Sequence, residues 1–111
     1  MTEARIPSQH RAWIEVDHAA LRHNLGLLRR VAGSDKQVIA VVKANAYGHG
    51  AIEVSRTLVA EGVELLAVAT IDEGITLRRA GVTAPVLVLW ALGRPEAALA
   101  VAHDLQPIVH D

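Results

Sequence analysis

Val38-Ile-Ala-Val-Val-Lys43 is a run of five apolar residues closed by a lysine, and Ala44-Asn-Ala-Tyr-Gly-His-Gly50 follows it directly. The apolar residues are continuous rather than alternating, the pattern of a strand covered on both faces in a parallel sheet. The same unit recurs further along. Leu65-Leu-Ala-Val-Ala-Thr70 and Val86-Leu-Val-Leu-Trp-Ala91 are similar runs, and Gln106-Pro-Ile-Val-His110 is a weaker one, because proline removes a ladder donor.

Between the runs lie helical stretches with recognisable ends. Asp17 caps a helix that carries Leu21, Leu25 and Leu28 on one face. A second helix runs from Gly50 or Ala51 to Glu61 and stops at Gly62. Thr70 and Glu73 have capping-box spacing and open a third, which stops at Gly81. Pro95 suits the first turn of a fourth, Glu96 to His103. Helix, then three strand–helix units and a further strand, predicts an α/β fold with a parallel sheet. An open doubly wound sheet and the first half of a (β/α)₈ barrel both fit this pattern. A closed barrel takes roughly 250 residues, so a barrel reading makes these 111 residues its N-terminal portion, incomplete in this chain. Trp13-Ile-Glu-Val-Asp17 reads as an extra strand ahead of the first helix.

Composition narrows the classes of function. A net charge of −1 gives no electrostatic pull on nucleic acid or anionic membrane. Arg29–Arg30 and Arg78–Arg79 read as the wet faces of helices. The absence of cysteine removes disulfides, thiolate chemistry and Cys-ligated zinc. His18 and His23 are five apart and do not share a helical face, and no metal site is read anywhere. Asp72 and Glu73 open a helix, where the dipole favours carboxylates. Met1–Gln9 lacks the apolar core of a secretory signal, and no apolar run approaches the roughly 20 residues that span a bilayer. A soluble cytoplasmic protein is expected.

Lys43 is where chemistry is expected. In parallel α/β folds, reactive groups sit where strands end and βα loops begin. The chain has two lysines, Lys36 and Lys43, against nine arginines. A lysine kept at an apolar strand end suits a task closed to arginine, such as Schiff-base formation. A lysine whose stem packs on the sheet while its ammonium reaches water fits the same position. Gly48 and Gly50 either let backbone N–H groups approach an anion or simply make the turn, and His49 reads as a loop residue.

Ala40-Val-Val-Lys-Ala-Asn-Ala-Tyr-Gly-His-Gly50 resembles the pyridoxal 5′-phosphate (PLP) attachment signature of bacterial alanine racemases. The likeness extends through Trp13–Asp17, Leu21-Arg-His-Asn-Leu25, Leu66-Ala-Val-Ala-Thr70 with Glu73, and Ala84-Pro-Val-Leu-Val-Leu89. What it implies is an N-terminal PLP-binding (β/α)₈ barrel followed by a β-rich domain, in a homodimeric enzyme that interconverts L- and D-alanine for the cell wall. Lys43 would then hold PLP covalently and act as one of two bases, and Tyr47 would meet the phosphate. Val41 and Leu89 would line the cofactor's surroundings. The second base, a tyrosine from the neighbouring subunit, and the arginine at the pyridine nitrogen would lie beyond Asp111. A racemase of serine or of many amino acids, or a non-catalytic PLP-binding protein on the same scaffold, is the alternative.

Overall fold

The apolar runs pair side by side. In the computed structural model, which describes residues 14–109, β1 (Ile39–Val41), β2 (Leu65–Val68), β3 (Val86–Val88) and β4 (Gln106–Pro107) form one parallel sheet in the order β1-β2-β3-β4. Val41 is level with Ala67, Ala67 with Leu87, and Val88 with Pro107. The strands are shorter than their apolar runs, but ladder-like bonds continue past them. Val42 N–H donates to the Ala67 carbonyl at 2.8 Å, Leu89 N–H to Val68 at 2.8 Å, and Trp90 N–H to Ala69 at 3.1 Å. Pro107 is accommodated because β4 pairs only with β3 in this sheet, so its missing N–H breaks no second ladder.

The helices are α1 (His18–Ala32), the single turn α2 (Lys43–Tyr47), α3 (Ala51–Ala60), α4 (Ile71–Arg79) and α5 (Arg94–Ala102). Their ends follow from side-chain chemistry. Asp17 Oδ1 accepts from Ala20 N–H at 3.1 Å, Thr70 and Glu73 close a capping box on α4, and Pro95 lies in the first turn of α5. Gly62 and Gly81 follow α3 and α4 at φ 89° and 88°, where a side chain would be strained.

Strand order separates the two architectures. Right-handed crossovers between consecutive strands that never reverse direction place every helix on one face, as in a barrel. A doubly wound sheet reverses and carries helices on both. Here Val42, Leu66, Val68, Val86 and Val88 are buried in one cluster with Leu25, Leu58, Ile75 and Ala100 from α1, α3, α4 and α5. Full burial of each such valine or leucine contributes about 1.5–3 kcal/mol. The alternate row (Ile39, Val41, Leu65, Leu87) lies outside that cluster, with Ile39 still 52% exposed. A thickness of 22 Å matches one sheet and one layer of helices at about 10 Å each. The fold is therefore part of a (β/α)₈ barrel, with the uncovered row on its inner side.

Two expectations need correction. Ile14–Asp17 lies outside the sheet and pairs with no strand of it; it leads into the Asp17 cap, and Ile14 is 76% exposed. Trp13 falls outside the described residues, as does His110 at the end of the last run. Arg78 is more than a wet helical face: its guanidinium donates to the carbonyls of Val82, Ala84, His103 and Asp104 at 2.8–3.0 Å. A planar fork of donors can satisfy several carbonyls in this way. Leu28 shares one face of α1 with Leu21 and Leu25, as expected, and is 54% exposed there. It borders an apolar groove of about 590 Å³ between α1 and β1.

Candidate functional site

The carboxyl ends of β1, β2 and β3 meet at one rim. β1 ends as Val42 (φ −116°, ψ 25°) turns the chain out of the sheet. Lys43 follows, half-buried. Ala44, Asn45, Ala46 and Tyr47 then all have φ between 50° and 56°. With ψ of 44–47° for the first three, α2 is a turn of left-handed helix built without glycine. Each such residue is disfavoured by about 1–2 kcal/mol, so the conformation persists only where neighbours over-determine it.

Several contacts do so. Ala46 is buried in the core cluster, and its N–H donates to the Val42 carbonyl at 2.9 Å. Asn45, of a residue type that tolerates positive φ, turns its Oδ1 to accept from Ala51 N–H at 2.8 Å and so caps α3. His49 Nδ1 lies 3.0 Å from the Ala46 carbonyl, which agrees with its reading as a loop residue. Glu73, 29 residues away, closes the turn from the other side: its Oε2 accepts from Ala44 N–H at 2.6 Å. Its Oε1 accepts from Ala69 N–H at 2.7 Å and Thr70 N–H at 3.2 Å. One carboxylate thus binds the peptide after Lys43 to the end of β2.

The glycines make the turn. Gly48 and Gly50 have φ 87° and 90°, and their N–H groups donate to the Ala44 and Asn45 carbonyls at 3.1 and 2.9 Å, while His49 N–H donates to Ala46. These amides are occupied within the segment and do not point at an anion, which settles the choice left open between anion binding and turn formation. Tyr47, 61% exposed, presents its ring and hydroxyl at the end of the turn.

Val41 lies in the inner row, level with Ala67 and Leu87. Leu89 continues the Leu87 row to the rim, half-buried. Between β1 and β3, roughly 10 Å apart, the inner row of β2 begins with Leu65 but toward the rim presents the methyls of Ala67 and Ala69. The rim therefore joins an amine, a phenol and apolar side chains around a shallow floor. That donor set fits PLP: an amine for the aldehyde, a hydroxyl for a phosphate oxygen and apolar flanks for the ring. Among the described residues, no group of three or more His, Cys, Asp or Glu could hold a metal ion, and no helix is long and apolar enough to cross a membrane.

Sequence reasoning missed Glu73 as a partner of the lysine segment and Asn45 as the cap of α3. The capping box did place a carboxylate where β2 meets α4, one strand from Lys43. The further step, that its second oxygen reaches Ala44, depends on a turn whose handedness local propensity opposes.

Comparison with known proteins points one way. Residues 16–111 match the family model described as "Alanine racemase, N-terminal domain". An alanine racemase of Synechocystis sp. is 50% identical over 100 residues, covering 89% of this chain and 27% of that protein. One of Geobacillus stearothermophilus is 50% identical over 88 residues, 79% of this chain and 23% of that protein. Among solved structures, alanine racemase from Bacillus anthracis with bound L-Ala-P superposes with a TM-score of 0.87 at 38% identity, over 94% of this chain and 27% of that one. The Clostridium difficile 630 enzyme in complex with cycloserine gives 0.79 at 38% identity, over 81% and 25%. The chain thus spans about a quarter of the length of the relatives it matches.

Proposed function

The chain belongs to the alanine racemase N-terminal domain family, and we propose on that footing that it is the cofactor-lysine portion of a PLP-dependent racemase interconverting L- and D-alanine. In this reading, residues 1–111 are the first part of the PLP-binding barrel, and the complete protein is a cytoplasmic homodimer that supplies D-alanine for peptidoglycan. The observation that carries it is the placement of Lys43 at the inner rim of a parallel sheet, held by a left-handed turn that ends in Tyr47.

When bound, PLP supplies an electron sink for the charge left as a proton departs from the substrate Cα. The chain's own residues do the rest. Lys43 would carry the cofactor through Nζ and, once freed by the substrate, accept or return the α-proton on one face. Racemisation needs a second base on the opposite face, and that group comes from outside these residues. Tyr47 would donate its hydroxyl to a phosphate oxygen. Val41 and Leu89 would flank the ring and keep water from it. The half-burial of Lys43 suits an amine that must be reached by cofactor and substrate but not by bulk solvent.

Borohydride reduction of the PLP-loaded protein, followed by digestion, tests this. The pyridoxyl label is expected on Lys43 and not on Lys36, which is exposed, pairs with Asp35 at 3.7 Å and precedes the opposite end of β1. Lys43→Arg is expected to lose covalent PLP while keeping the charge. Tyr47→Phe is expected to keep it but bind PLP more weakly, by about 0.5–1.5 kcal/mol, or up to about 3 if the bond is charge-assisted. A label on Lys36, or normal racemisation by Lys43→Arg, refutes the assignment.

A further inference from the structure

We infer that Glu73 is a positioning residue for Lys43, acting through the backbone. The inference rests on the reading of Lys43 as the PLP lysine and assigns a further residue to that site. A capping box requires only that the N3 carboxylate reach back to the N-cap N–H. Glu73 does that with Oε1, through Thr70 N–H at 3.2 Å, and the same oxygen takes Ala69 N–H at 2.7 Å. Oε2 is not needed for the cap. It accepts from Ala44 N–H at 2.6 Å, and an N–H bond to an ionised carboxylate is charge-assisted.

Ala44 is both the residue after Lys43 and the first of the four consecutive non-glycine residues at positive φ in this turn. The carboxylate therefore grips the chain at the point where handedness inverts. This fixes the plane of the Lys43–Ala44 peptide and with it the direction in which the lysine stem leaves the strand. The other end of the grip is the end of β2 and the first turn of α4, a deeply packed unit in which Leu66, Val68 and Leu77 are all but fully buried. A lysine that must meet both a cofactor aldehyde and a substrate proton needs such an anchor, since a misplacement of about 1 Å can cost a hundredfold in rate.

Glu73→Gln separates the two roles of the side chain. Glutamine is an accepted N3 residue in a capping box, so its carbonyl oxygen can take the Oε1 position and keep α4 capped. Its amide then turns N–H toward the N–H of Ala44, replacing an acceptor with a donor. The control is Thr70→Ala, which removes the cap hydroxyl that accepts from Glu73 N–H and leaves the Ala44 bond in place.

The measurements are made on the protein expressed from its whole gene, with PLP itself as the probe. They are the PLP dissociation constant, visible-region circular dichroism per bound PLP, and melting temperature. Visible ellipticity reports how rigidly the bound chromophore is oriented, which a general loss of stability does not change. Glu73→Gln is expected to bind PLP about tenfold or more weakly, as the loss of a charge-assisted bond implies, and to lose most of the visible ellipticity per bound PLP. Thr70→Ala is expected to melt earlier with ellipticity and affinity unchanged. Unchanged ellipticity and affinity in Glu73→Gln, or equal losses in Thr70→Ala, would make Glu73 a helix cap and nothing more. If Glu73→Gln does not fold, hydrogen exchange in the unmodified protein decides. A protected Ala44 amide supports the inference and a rapidly exchanging one overturns it. Borohydride label missing from Lys43 in the unmodified protein would instead remove the PLP assignment, whatever Glu73 does.

Discussion

Ala44 and Ala46 show how one conformation is tolerated for different reasons. Both have φ above 50° or at it, yet Ala44 is exposed whereas Ala46 is 6% exposed and part of the core cluster. Glycine at either position would remove the left-handed penalty of about 1–2 kcal/mol and add about 0.4–1 kcal/mol of unfolded-state entropy. At Ala44 nothing else is lost, because its bond to Glu73 uses the backbone N–H. Ala44→Gly is therefore expected to raise unfolding stability by about 0.5–1 kcal/mol, measured by urea denaturation. Ala46→Gly also gives up a buried methyl, about 0.8 kcal/mol, and is expected to gain nothing. A loss of stability in Ala44→Gly would mean that the turn carries no strain there. Neither alanine betrays its conformation in sequence; only Asn45, Gly48 and Gly50 are of types that favour positive φ. This is why the sequence could single out the segment as a place to expect chemistry but could not show that it is a left-handed turn.

Helices and strands were easier to foresee, because their signals are local and agree with the packing. The Asp17 cap, the Thr70–Glu73 box and the glycines after α3 and α4 all mark ends that the chain uses. What holds one element to the next was hidden, because those partners are far apart in sequence. At the rim opposite Lys43, Glu64 accepts from Val38 N–H at 2.9 Å, just before β1, and from Arg29 of α1 at 3.4 Å. The Val38 N–H, chiefly, and then other backbone N–H and Arg29 contacts hold its carboxyl below the usual carboxylate range. A group whose pKa is lowered by folding stabilises the native state above its unfolded pKa, and that contribution disappears as pH falls through the folded one. Glu64→Gln should accordingly melt below the parent at neutral pH, with the gap closing as the pH drops below about 4.5, its ordinary value. Melting temperatures between pH 7 and 3 check this, and a gap that stays constant would show that the charge is not what matters.

The successive βα units are joined as well as stacked. Arg78 in α4 reaches the carbonyls of Val82 and Ala84 ahead of β3 and those of His103 and Asp104 after α5. Arg78→Met would leave these acceptors without their cation. It is expected to lower stability by about 1.5–3 kcal/mol, the usual worth of hydrogen bonds to a charged group. A loss within 0.5 kcal/mol (the order expected of an ordinary surface change) would indicate that water replaces the guanidinium freely. The left-handed turn depends on the same kind of distant partner, with a consequence in time. A ribosome delivers the amino end first, so Ala44 emerges 29 residues before Glu73. Until α4 follows, the newly made stretch has no carboxylate to close against, and its own preferences run toward the opposite hand. Lys43 is thus made early, and the turn that follows it is set in place late.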